Sequence, residues 1–79
     1  MSRRADDFVM WTIYENPSDY PGLFVARRWR IASDGSLHCL DPALVERTLQ
    51  PIRDEMHRLG LYRLARSEGD DPVIVESWI

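Results

Sequence analysis

The chain has 79 residues, enough for one domain around one core. At this size only about 60–65% of the unfolded chain's surface is buried on folding, so stability is marginal. Cys39 is the sole cysteine, which excludes an internal disulfide, and a net charge of −3 argues against a protein that grips duplex nucleic acid through its phosphates.

The hydrophobic fraction of 44% and charged fraction of 29% are ordinary for a soluble globular protein. No stretch approaches the ~20 apolar residues of a membrane helix. Ser2-Arg3-Arg4 has the look of a twin-arginine export start, but Asp6 and Asp7 follow at once. The apolar run after them stops at Glu15, too short and too polar for a signal core. With a lone cysteine suited to a reducing compartment, these features predict a cytoplasmic protein, a single domain over 1–79 with residues 1–7 disordered.

In chain order, Phe8 to Glu15 and Leu23 to Ile31 are β-branched and aromatic runs. They flank the turn-rich Asn16-Pro17-Ser18-Asp19-Tyr20-Pro21-Gly22, the grammar of a long β-hairpin. In the first run Val9, Trp11 and Ile13 alternate with Phe8, Met10, Thr12 and Tyr14. Both faces are substantially apolar, which predicts an interior strand or one covered on two sides. In the second, Leu23, Val25, Arg27, Trp29 and Ile31 share one face, while Phe24, Ala26, Arg28, Arg30 and Ala32 share the other. The first set is the expected core face, with a bulge near Arg27-Arg28 to accommodate Arg27. Asp34-Gly35 makes a tight turn into a short third strand, Leu37 to Leu40.

Asp41-Pro42 then reads as a helix start, an N-cap carboxylate followed by a proline at the first helical position, with Leu40 and Val45 as a hydrophobic staple. Val45, Leu49, Ile52, Met56 and Leu59 recur at helical spacing as one buried stripe, leaving Arg47, Arg53 and Glu55 exposed. Pro51 interrupts this pattern, so the segment is either one kinked helix or two abutting ones, the second opening at Pro51. Gly60 is the expected left-handed cap. Leu61 to Arg66 reads as a short strand and Ser67 to Pro72 as a polar loop. Val73 to Ile79 carries the strongest β signal, and a chain finishing on Trp-Ile implies a strand locked into the sheet. The predicted fold is α+β: an antiparallel sheet of four or five strands with one helix, straight or Pro-kinked, packed on one face, in the order β-β-(β)-α-β-β.

Two segments, Trp11 to Pro21 running on to Phe24-Val25-Ala26-Arg27-Arg28-Trp29, and Gly69 to Ile79, resemble a set of small bacterial and prophage proteins of unknown function. The resemblance covers most of both β regions and implies a small, single-domain bacterial protein. It carries no catalytic residues over to this chain.

Charge is unevenly placed. Residues 1–32 hold five arginines against four acids, whereas residues 33–71 hold five against eight. Arg27-Arg28-Trp29-Arg30 is therefore the strongest candidate contact, with Tyr20 at the hairpin tip beside it. Two guanidiniums on one strand face lie about 7 Å apart. They can grip a phosphate or carboxylate while an aromatic stacks. The bland alternative pairs these arginines with Glu15, Glu76 or the helix acids, with Trp29 filling the core and Tyr20 folded over the sheet edge. Glu68, Asp70 and Asp71 lack the spacing and terminal Glu of a calcium loop. His38 and Cys39 point to opposite faces of one strand, and together with His57 they have no metal-ligand spacing. No cofactor, metal or catalytic residue is expected. The leading expectation is a non-enzymatic module that contacts a protein, or a second copy of itself, through the sheet face opposite the helix, with Arg28, Arg30 and a neighbouring aromatic on it, or through a sheet edge. The alternative is single-stranded nucleic acid on an arginine-and-aromatic face. An enzyme ranks third and would need a deep pocket converging on His38 or Cys39.

Overall fold

Among the described residues five strands and one helix follow one another as β1 (Phe8–Glu15), β2 (Phe24–Ile31), β3 (Leu37–Glu46), α1 (Gln50–Arg58), β4 (Arg63–Ala65) and β5 (Ile74–Trp78). The computed structural model describes residues 8–66, 69 and 72–79, and of Asp41 and Pro42 the backbone alone. Residues 1–7, expected to be disordered, and most of the Ser67 to Pro72 loop lie outside the described residues. The strands form one sheet in the order β3-β2-β1-β5-β4, every neighbour antiparallel. The α+β architecture read from the sequence holds. β1, apolar on both faces, is the central strand, and the C-terminal run is paired between β1 and β4.

β1 and β2 pair without interruption from Glu15↔Phe24 to Phe8↔Ile31. Asn16 closes this hairpin in the left-handed region, at φ 54°, a conformation its short polar side chain tolerates. Its amide donates to the Leu23 carbonyl at 2.8 Å, and its Oδ1 accepts from the Gly22 amide at 2.6 Å. The Asp34-Gly35 turn forms as expected. Asp34 Oδ1 accepts from the amide and hydroxyl of Ser36, which hold this carboxyl below its ordinary range.

The third strand does not stop at Leu40, and Asp41-Pro42 opens no helix. β3 continues to Glu46, with Val45 paired to Val25 and Leu44 to Ala26, so the Leu40–Val45 staple does not exist. The register shifts between the Ala26↔Leu44 and Arg28↔Leu40 pairs, where Arg27 alone faces the three residues 41–43. The expected irregularity near Arg27 is present, with its extra residues on the partner strand. β3 is an edge strand, and a proline there removes no ladder hydrogen bond that the sheet needs.

The helix is correspondingly short. Leu49 is its N-cap residue and Pro51 lies in its first turn, where the missing N–H is one of the donors that no helix satisfies internally. No kink results, because Pro51 begins the helix. Gly60 ends it at φ 76°, its amide bonding to the His57 carbonyl and the Leu61 amide to that of Met56, the two bonds of a Schellman cap. Ile52 and Met56 are buried, Leu49 is partly buried, and Leu59, placed on the stripe by spacing, is 43% exposed.

The core joins Ile52 and Met56 to Trp11, Ile13, Ala26 and Trp78, with Phe24, Leu44, Leu49, Leu61 and Val75 packed around it. The helix-side parity of β2 is therefore the Phe24, Ala26, Arg28 set and not the Val25, Arg27, Trp29 set that composition favoured. A register shift between Ile13 and Tyr14 leaves Val75 opposite no β1 residue and lets it join this core.

Truncating Ile52 to Ala should cost about 2–5 kcal/mol in denaturant unfolding, whereas Leu59→Ala should stay within about 1 kcal/mol. Equal losses would show that the packed stripe has been misassigned.

Candidate functional site

Strand alternation and register give the sheet a second face that takes no part in the helix-bound core. Reading across the ladders, Phe8, Ile31 and Leu37 form one row, Met10, Trp29 and Cys39 the next, and Tyr14, Val25 and Val45 a third. Thr12, between Arg27 and Ser77, is the polar interruption and, like Val25, is buried. Phe8 is 46% and Leu37 60% exposed. Two grooves cross this face and share Tyr14 and Trp29. One, of about 260 Å³, is floored by Met10, Thr12, Ile74 and Ser77 and reaches Leu37. The other, of about 750 Å³, runs beneath the hairpin loop past Asn16, Pro17, Asp19, Arg27 and Cys39 to Val73.

The four-residue cluster Arg27-Arg28-Trp29-Arg30 is divided by strand parity. Arg27 and Trp29 face the open side, where Arg27 forms an ion pair with Asp19 and sits 6.0 Å over the Tyr20 ring. Tyr20, Arg27 and Trp29 are thus brought together. Arg28 pairs with Trp11 in the ladder and lies 5.7 Å over its ring on the helix side, and Arg30, two residues on, has the same parity opposite His38. The expectation that Arg28 and Arg30 lie on the face opposite the helix is overturned by this register. His38 and Cys39 do point to opposite faces, and the His38 ring bonds to the Ser36 hydroxyl at 2.9 Å. Among the described residues no group of three His, Cys, Asp or Glu side chains could hold a metal ion.

Glu76, singled out in the sequence only as one possible partner for the strand arginines, anchors a dense set of polar bonds. It is 2% exposed. Arg53 on α1 grips it in bidentate fashion, Nε to Oε2 at 3.0 Å and Nη2 to Oε1 at 2.7 Å. The Trp78 indole N–H donates to Oε2 at 2.8 Å, and Arg63 Nη1 stands 3.7 Å from Oε1. Arg53, expected to be a solvent residue, is half-buried by this grip. Burial alone would push the Glu76 carboxyl up, but the bonds from Arg53 and Trp78 and the charges of Arg53 and Arg63 outweigh it and hold the group below its ordinary value. The signal lay in parity: Glu76 shares a face with Trp78 in the most apolar strand, and an acid at a core position requires a cation from elsewhere.

Comparison with protein-family models, with curated proteins and with solved structures yields no match. No helix among the described residues is long and apolar enough to cross a membrane.

Because the folded-state pKa of Glu76 is depressed, its contribution to stability is present above the unfolded carboxylate range. It is lost as pH falls through the folded value. Thermal unfolding should therefore show stability declining below about pH 5, and Glu76→Gln should flatten much of that decline. At neutral pH the same substitution should cost about 3 kcal/mol, since it strands the half-buried Arg53 cation. An unchanged pH profile in Glu76→Gln would assign the acid sensitivity to surface carboxylates such as Asp34 and Glu55.

Proposed function

We propose that this protein is a non-enzymatic binding module whose contact surface is the open sheet face, and that its partner there is a protein. The observation that carries this reading is the apolar face that runs from the exposed Phe8 and Leu37 through the half-buried Ile31, Met10 and Trp29 to the half-buried Tyr14 and Ile74, on the side of the sheet away from α1. Exposed apolar patches of this kind are rare on soluble monomers and mark contact sites. A second copy of the chain is the simplest partner, because an identical apolar sheet meets it in a two-fold arrangement with sheets about 10 Å apart.

Single-stranded nucleic acid is the second reading, favoured by one observation: Tyr14, Trp29 and Arg27 line the same groove. The engagement of Arg27 with Asp19 supports the protein reading over it, since the groove's cation already has its anion.

Sedimentation equilibrium should show a concentration-dependent dimer that persists from low to moderate salt. Met10→Glu or Leu37→Glu should shift it to monomer while moving the melting temperature by only a few degrees. A wild-type chain that stays monomeric while binding an oligonucleotide, with affinity falling steeply as salt rises, would replace this reading with the nucleic-acid one.

A further inference from the structure

On the opposite side of the sheet, α1 and the β4–β5 edge enclose a cleft of about 550 Å³ whose polar lining consists of Gln50, Arg53, His57, Tyr62 and Arg63. No carboxylate is among its lining residues. Of the nearest acids, Glu55 pairs with Arg58 and Glu76 lies buried beneath the floor, while Asp54 borders the cleft and accepts from the Gln50 amide at 2.8 Å. Arg53 and Arg63 converge on the same oxygen, Glu76 Oε1, at 2.7 and 3.7 Å. Two guanidiniums brought this close repel each other, and one buried carboxylate holds both in place while cancelling only one of the two charges. The result is a pair of cations that share one buried carboxylate at the cleft floor.

We propose that this cleft is an anion site for a phosphate monoester. Arg53 spends its Nε and one Nη2 bond on Glu76, and Arg63 stands at the limit of ion pairing, so both retain N–H donors. With the second N–H of the Gln50 amide and the His57 ring, the cleft offers more donors than the two oxygens of a carboxylate accept. The three terminal oxygens of a monoester match the set better. His57 is held edge-on to Trp78, ring centroids 5.2 Å apart at 83°. Tyr62, 78% exposed at the mouth, presents its ring to whatever the phosphate is attached to. Glu76 then acts as a positioning residue that orders the two arginines. The site lies apart from the open sheet face and does not depend on its role.

The test is titration of the full chain with inorganic phosphate and phenyl phosphate at constant ionic strength set by sodium chloride. Backbone amide shifts and calorimetry are the readouts. Saturable binding is expected, with shifts confined to α1, residues 61–63 and β5, and with phenyl phosphate the tighter of the two. Arg63→Gln, at an exposed position on a three-residue edge strand, should weaken both about tenfold or more while lowering the melting temperature by at most a few degrees. Tyr62→Ala should remove the advantage of phenyl phosphate and leave inorganic phosphate unaffected. Phosphoserine in place of phenyl phosphate distinguishes an aliphatic from an aromatic source. Shifts that grow linearly with concentration, that chloride reproduces, or that Arg63→Gln leaves intact would overturn the site.

Discussion

The governing constraint is the mismatch between one short helix and a wide sheet. Nine helical residues span about 14 Å, while five strands side by side extend roughly 20 Å from edge to edge. Such a helix can seal the middle of one face and no more. Everything buried deeply with it, Trp11, Ile13, Ala26 and Trp78, clusters beneath that short cylinder. The rows of Phe8, Met10 and Tyr14 lie on the other side, where no helix among the described residues covers them, although Thr12 and Val25 are buried there. The division between a sealed face and an open face follows from helix length before any particular side chain is considered.

Within that arrangement Glu76 does work that apolar packing cannot. A hydrophobic stripe tolerates sliding and rotation by a fraction of a turn, because dispersion contacts have little directionality. A bidentate guanidinium–carboxylate pair fixes distance and plane together. Arg53 thus ties the first half of α1 to β5 in one register, and Arg63 brings the short β4 strand to the same point. The removal of a charge from water is offset by three donors and the nearby Arg63 charge around a single carboxylate.

Local chemistry was legible where a residue type has few alternatives. Asp34-Gly35 could hardly be anything but a turn, Gly60 following a helical stripe read correctly as its cap, and Val73 to Ile79 declared itself a strand. Asp41-Pro42 misled because an N-cap pair and an edge-strand irregularity use the same residues: both tolerate a missing N–H, and nothing local separates them. Val45 satisfies helical spacing with Leu49 and strand pairing with Val25 equally well, so the boundary was decided by tertiary pairing. The face of Arg28 was lost for a related reason. Parity along β2 was correct, but which parity faces the helix depends on Trp11, Ile13 and Trp78 lying across the ladder. The Glu76 network joins residues 23 apart in sequence, beyond the reach of any window along the chain.

The two outer strands set a limit on growth. β3 carries a proline and a two-residue excess opposite Arg27, and β4 is only three residues long, with an arginine at its start. Neither offers the long, regular row of free amides and carbonyls that templates a further strand. If two such sheets meet through their apolar faces, each copy has used the only broad surface it can share. Assembly would then end at a closed pair, and the same irregularities that obscured β3 in the sequence would keep a chain with so much exposed β surface from extending into a fibre.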